Sequence, residues 1–184
     1  MDLYTIKDLA EKSGRAVFTV QQLSNLAGIS KAVAKVYMGR LVKKGLAKKI
    51  QRGKISFSSD DFVNATQIIE PSYISLRSAL LFYNLIKQVP TRVECVTTKN
   101  SMTVDGIVYH KINPRLFYGY KKMLKGSSYF FIAEPEKAVI DSLYLNIISK
   151  QDIQDIKNKL DSEKFEKFVR QYTGKGRKKM GILL

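Results

Sequence analysis

Residues able to do catalytic chemistry are few in this chain and badly spaced for it, whereas cations are many and clustered. His110 is the only histidine and Cys95 the only cysteine. One chain therefore cannot assemble a two-histidine metal site or an internal disulfide. No G-x-S-x-G elbow precedes His110, and its alternation with neighbours in Val108-Tyr109-His110-Lys111 reads as a strand position. Cys95, flanked by Val93 and Val96 in a strand pattern, is expected to pack rather than attack. A metal-dependent nuclease gathers acids and a lysine at the ion, commonly as an acid-x-Lys pair on a strand. Glu94 and Lys99 are instead five apart, with Asp105 in an expected loop. Glu134 and Glu136 flank Pro135 at an expected helix start, where acids meet the positive end of the dipole. Gly174-x-Gly176 lacks the preceding strand of a phosphate-binding loop. No catalytic residue, metal ligand or cofactor is expected.

The cations point elsewhere. Among 184 residues, 32 are Lys or Arg and 16 are Asp or Glu, a net charge of +16. Residues 1–60 carry twelve basic against four acidic side chains, residues 61–169 fifteen against twelve, and residues 170–184 five against none. The excess sits at the two ends. A polyanionic partner suits it, because each phosphate neutralised releases condensed counterions. No run of about 18 apolar residues is present, so no membrane-spanning helix is expected. The opening Met1-Asp2-Leu3-Tyr4 lacks the basic and apolar regions of a signal peptide, and a cytoplasmic location is expected.

The first sixty residues supply elements that could aim those cations. Ile6, Leu9 and Ala10 recur at helical spacing until Ser13-Gly14. Thr19 with Gln22 three residues later has the spacing of a capping box, and Phe18 and Leu23 can staple it, so a second helix runs from Val20 to Ala27. Gly28 suits a tight inter-helix turn. Ser30 then caps a third helix from Lys31 to about Lys44. Val33, Val36, Tyr37 and Leu41 are expected to form its buried face. Lys31, Ala32, Lys35 and Met38 are expected on the opposite face, with Ala34 and Arg40 at the margins. Small residues mixed with long cations let a helix approach a major groove and meet phosphates. Gly45 stops the helix, and strands at 46–50 and 55–57 flank Gln51-Arg52-Gly53-Lys54, a hairpin with a basic tip. The pattern predicts a winged helix-turn-helix over residues 1–58 that binds double-stranded DNA. Ser30, Lys31, Ala32 and Lys35 are expected nearest the bases, and Arg40, Lys48, Arg52 and Lys54 at phosphate or the minor groove. A three-helix bundle with a protein-binding hairpin is the competing reading.

Residues 62–71 read as a connection to a second domain at 62–184. There Ser75 is expected to cap a helix through Leu76, Ala79, Leu80 and Tyr83. Strands are expected near 92–98, 107–112 and 129–133, and a helix begins at Pro135 with Val139, Ile140, Leu143, Tyr144 and Ile147 buried. Helices at 151–159 and 162–172 follow, then the basic cluster Lys175, Arg177, Lys178 and Lys179, read either as a solvated tail or as a further phosphate contact, and the apolar end Ile182-Leu183-Leu184. The expected fold class is α+β: a winged helix-turn-helix, then a small α+β domain with a mainly antiparallel sheet and C-terminal helices. Tyr73, Tyr83, Phe117, Tyr118 and Tyr120 suit either a core or a ligand pocket, which keeps a stand-alone regulator with a ligand- or partner-sensing second domain as the alternative reading.

Four ordered blocks carry a family resemblance. The run Glu70-Pro71-Ser72-Tyr73-Ile74-Ser75-Leu76-Arg77-Ser78-Ala79-Leu80 resembles the "PSYISLeSAL" signature of AbiEi-type antitoxins. Val96-Thr97-Thr98-Lys99, Leu116-Phe117-Tyr118-Gly119-Tyr120 and the segment from Ile132 to Leu145 are similar to that family's "vTtk", "lFfGy" and "IAspEKAllDllYL" blocks. The resemblance implies the antitoxin of a type IV toxin–antitoxin system. Its winged helix would repress the operon at inverted repeats, and its C-terminal domain would counter a nucleotidyltransferase-like toxin without necessarily forming a stable complex with it. The chain departs from the family in its short C-terminal part.

Overall fold

The computed structural model describes residues 2–180, apart from the side chains of Lys150, Lys175 and Lys179. The apolar end 182–184 lies outside the described residues, as do two side chains of the basic cluster. The architecture is α+β, and among the described residues no helix is long and apolar enough to cross a membrane.

The N-terminal part runs α1 (Leu3–Lys12), β1 (Val17–Thr19), α2 (Val20–Ala27), α3 (Lys31–Lys43), β2 (Lys48–Gln51) and β3 (Lys54–Ser56). Both halves of the capping box form at α2: Thr19 N–H donates to Gln22 Oε1 at 2.8 Å, and Gln22 N–H donates to Thr19 Oγ1 at 3.2 Å. Gly28 ends α2 at φ +63°, where a Cβ would be strained, and this turns the chain into α3 within three residues. The three strands pair antiparallel in the order β1-β3-β2. Phe18 and Thr19 therefore belong to a strand that helical spacing alone does not reveal. Ile6, Leu23, Phe18, Met38, Leu41 and Ile55 close a small core of their own. Each such side chain, fully buried, contributes about 1.5–3 kcal/mol.

The stretch read as a connection is α4 (Asp61–Ile68), the most buried helix in this region. Asp60 caps it, accepting from Val63 N–H at 3.0 Å, and every residue from Val63 to Ile68 is buried. Gln67 ties it to both sides. Its Oε1 accepts from the N–H groups of Ala16 and Val17 at 2.8 and 3.1 Å, and its Nε2 donates to Ser128 Oγ and Tyr129 O at 3.1 and 2.9 Å. Arg15 grips Glu70 with two nitrogens, at 3.2 and 2.7 Å.

Beyond α4 lie β4 (Ser72–Ile74), α5 (Leu76–Phe82), β5 (Glu94–Thr97), β6 (Met102–Val104), β7 (Ile107–Lys111), β8 (Tyr120–Lys125), β9 (Ser128–Ala133), α6 (Pro135–Tyr144), α7 (Lys150–Lys157), α8 (Ser162–Val169) and α9 (Gly174–Met180). The six strands are ordered β6-β7-β5-β4-β9-β8. Three pairings are antiparallel, but β4–β9 and β5–β7 are parallel, so the sheet is more mixed than expected. Parallel neighbours cannot be joined by a tight hairpin: β5 reaches β7 through β6, which pairs on the far side of β7, and the whole stretch from α5 to β8 lies between β4 and β9. Ser75 does not cap α5 with its side chain; its Oγ donates to Asp141 Oδ2 at 2.8 Å instead. The basic cluster falls within α9 rather than a frayed tail, and Met180 is fully buried at its end.

Candidate nucleic-acid interface

The third helix turns a different face inward from the one periodicity suggests. Ala34 and Leu41 are fully buried and Met38 nearly so, whereas Val33 and Val36 are 43% and 52% exposed. Two β-branched valines resemble core residues in a hydrophobic count. Ala34 and Met38 win because a small side chain and a flexible one fit where α3 lies close to α2 and the sheet. The expected assignment of Val33 and Val36 to the core and of Met38 to the outer face is therefore corrected. The outward face carries Lys31, Ala32, Val33, Lys35, Val36, Gly39, Arg40 and Lys43, all exposed.

Of the eight expected contact residues, Ser30, Lys31, Ala32, Lys35 and Arg40 stand together on the exposed side of α3 or at its start. Ser30 Oγ accepts from Val33 N–H at 3.3 Å, so the hydroxyl is used as the helix cap. The Arg40 guanidinium lies 6.0 Å from the centroid of the Tyr37 ring, which steadies it on the helix surface. Arg52 is exposed at the tip of the β2–β3 hairpin, where Gly53 takes φ +73°.

The other two cations are engaged within the chain. Lys48 Nζ donates to Asp105 Oδ2 at 2.8 Å, bridging β2 to the β6–β7 turn. Lys54 is half-buried; its Nζ donates to Ile68 O at 2.5 Å, and burial holds its pKa below the ordinary lysine value despite Glu70 nearby. Lys54 is thus corrected from a wing-tip cation to a strut between β3 and the end of α4. The reason is position in the sheet: β3 lies between β1 and β2, so Lys54 starts the middle strand within reach of the carbonyl that ends α4.

Lys43 and Lys49 are exposed on the same two elements. Lys49 and Gln51, on either side of a register shift in β2, line a crease of about 230 Å³ between α3 and the hairpin, together with Lys35, Gly39 and Lys54. Helical spacing of Lys43 from Ala32, Val36 and Gly39 picks out Lys43 once the buried face is known.

Cys95, Glu134 and Glu136 in the second half are buried or partnered. Cys95 is fully buried and its thiol is pushed far up by that burial. His110 is half-buried, and burial lowers its pKa, favouring the neutral ring. Glu136 accepts from Asp161 N–H at 3.0 Å, and Glu134 pairs with Lys164. Among the described residues no group of three or more His, Cys, Asp or Glu side chains is placed to hold a metal. Tyr73 and Tyr120 stack at 4.7 Å inside the core, with Phe117 4.9 Å from Tyr73. A scan against protein-family models and a search of curated proteins find no match to this chain.

Proposed function

We propose that the chain is a DNA-binding regulator whose first 58 residues form a winged helix-turn-helix, α3 entering the major groove and the β2–β3 hairpin serving as the wing. The observation that carries this reading is the exposed side of α3 and its hairpin, where Lys31, Lys35, Arg40, Lys43, Lys49 and Arg52 gather on one contiguous run of elements. The strand order β1-β3-β2, with α2 and α3 between β1 and β2, supports it further, because it leaves the hairpin beside the C-terminal half of α3. Phosphates would supply the affinity, and the groove face of α3 the sequence preference.

On the resemblance carried by residues 70–80, 96–99, 116–120 and 132–145, we further propose that it is the antitoxin of a type IV toxin–antitoxin system. It would repress its own operon at inverted repeats and counter a nucleotidyltransferase-like toxin. Electrophoretic mobility shift with the DNA upstream of its own gene tests the first reading; failure to retard that duplex at low salt rejects it. Co-expression with the neighbouring gene product tests the second, and growth arrest that persists rejects antitoxin action.

A further inference from the structure

Val33 and Val36 are the large apolar residues that α3 exposes among the described residues, one turn apart on the side away from the core. Ala32, Val36 and Gly39 follow one another at i, i+4 and i+7, so the middle of the outward face carries no charge, while Lys31, Lys35, Arg40 and Lys43 surround it. Gly39 adds an independent oddity. Its φ is not in the left-handed region, and a Cβ built there meets nothing within 4 Å. Neither backbone conformation nor internal packing explains it, although a glycine inside a helix loosens that helix relative to alanine.

An apolar spot ringed by cations fits a polyanion that itself presents apolar groups at its surface. In the major groove of DNA that group is the thymine 5-methyl, which stands among hydrogen-bonding base edges between two phosphate strands. Resting on the DNA-binding reading above, we propose that Val33 and Val36 read thymine methyl groups, with Gly39 the point where the helix backbone approaches the duplex most closely. Lys49, which borders Gly39 in the crease beside the hairpin, then meets the phosphates of the strand passing there. The occupant is duplex DNA containing thymine at the positions facing α3. A second protein is disfavoured by four cations around so small an apolar area.

The test uses the full chain and a duplex selected by it from a random-sequence pool, followed by fluorescence anisotropy with each thymine replaced in turn by deoxyuridine. One or two positions should lose about fourfold in affinity, the worth of one buried methyl group. In V36A the same replacement should cost little, since the partner methyls are gone, and V33A should behave likewise at a neighbouring base pair. G39A should raise Tm by about 2–4 °C while weakening binding to the selected duplex by about tenfold. That opposite movement cannot come from misfolding. A selected duplex whose affinity ignores every deoxyuridine, with V33A and V36A equally silent, overturns the inference but leaves DNA binding standing. Failure to enrich any duplex overturns both. Sedimentation that shifts from dimer to monomer in V36A, with DNA affinity unchanged, assigns the face to self-association and overturns the inference as well.

Discussion

Lys137→Met should be among the most damaging single changes in this protein. The lysine and its partner Asp141 are both fully buried on α6. Asp141 Oδ2 accepts from Tyr73 Oη at 3.0 Å and from Ser75 Oγ at 2.8 Å, while its Oδ1 is paired with Lys137 Nζ. Lys137 also donates to Tyr172 Oη at 3.1 Å and lies 4.8 Å from the centre of the Tyr118 ring. One carboxylate thus joins β4 to α6, and one ammonium joins α6 to the connection between α8 and α9. Methionine matches the lysine stem in volume but leaves the carboxylate buried with only two neutral donors. Removing one partner of a buried pair costs about 3–5 kcal/mol. Because Tyr73 and Ser75 remain, the lower end applies, about 3 kcal/mol. For a chain of this length that lowers Tm by roughly 6–12 °C, out of a total stability of about 5–15 kcal/mol. The assay is thermal and urea unfolding followed by circular dichroism, with Asp141→Asn and the K137M/D141N double variant in the same buffer. The double variant should recover a large part of the loss, since no uncompensated charge is then buried. A K137M protein within about 0.5 kcal/mol of the parent, the range of an ordinary surface change, refutes the reasoning, as does simple additivity in the cycle.

Gln67→Leu should cost about 3 kcal/mol or more, because it strips two buried backbone N–H groups of their acceptor at about 1–3 kcal/mol each; a urea midpoint unchanged from the parent would show that the α4 clamp is idle. Burial pushes the Asp60 carboxyl upward, but the Lys125 ammonium and the N–H of Val63 outweigh it, and the net pKa lies below the ordinary aspartate value. Its ionised form therefore stabilises the fold above about pH 4 and ceases to do so as pH falls through the depressed value. Asp60→Asn keeps the cap and loses the pairing, so the stability gap to the parent should close on acidification; a gap constant from neutral pH to pH 3 contradicts this assignment. With six cations on α3 and the hairpin that form no ion pair among the described residues, the log–log salt slope of the proposed DNA binding should be about −5. Lys35→Ala should weaken the specific duplex most and Arg52→Ala all duplexes alike. Lys48→Ala should cost less than either, because Asp105 already holds Lys48, and equal losses for all three in anisotropy titrations would place the interface elsewhere.

Helix ends were legible from local chemistry, since caps depend on residues within three or four positions. Thr19 with Gln22, Gly28 and Ser30 mark the α2–α3 turn where the backbone makes it. The strands near 107–112 and 129–133 and the helix at Pro135 were legible for the same reason. The short strands β1 and β4 were not: three residues carry too little period, and their pairing with β3, β5 and β9 is supplied from far along the chain. Nor was α4, whose buried Asn64, Thr66 and Gln67 read as loop chemistry until their partners are in place. Ser56 Oγ and Ser58 O sit at Asn64, and Tyr129 O sits at Gln67.

What the amino-acid order determined by itself was the number and kind of cations, their concentration toward the two ends, and the caps that punctuate the first three helices. Only the tertiary structure decided which way those elements face. A helix carrying Val33, Ala34, Val36 and Met38 has two plausible apolar sides, and the choice falls to whichever packs against Leu23, Phe18 and Ile55 without voids. The same holds for charge. Lys48, Lys54 and Arg52 look alike in sequence, yet Asp105 and the carbonyl of Ile68 claim the first two and leave the third to solvent. Burial and partners are properties of neighbours brought together by folding, and residue type alone carries no record of them.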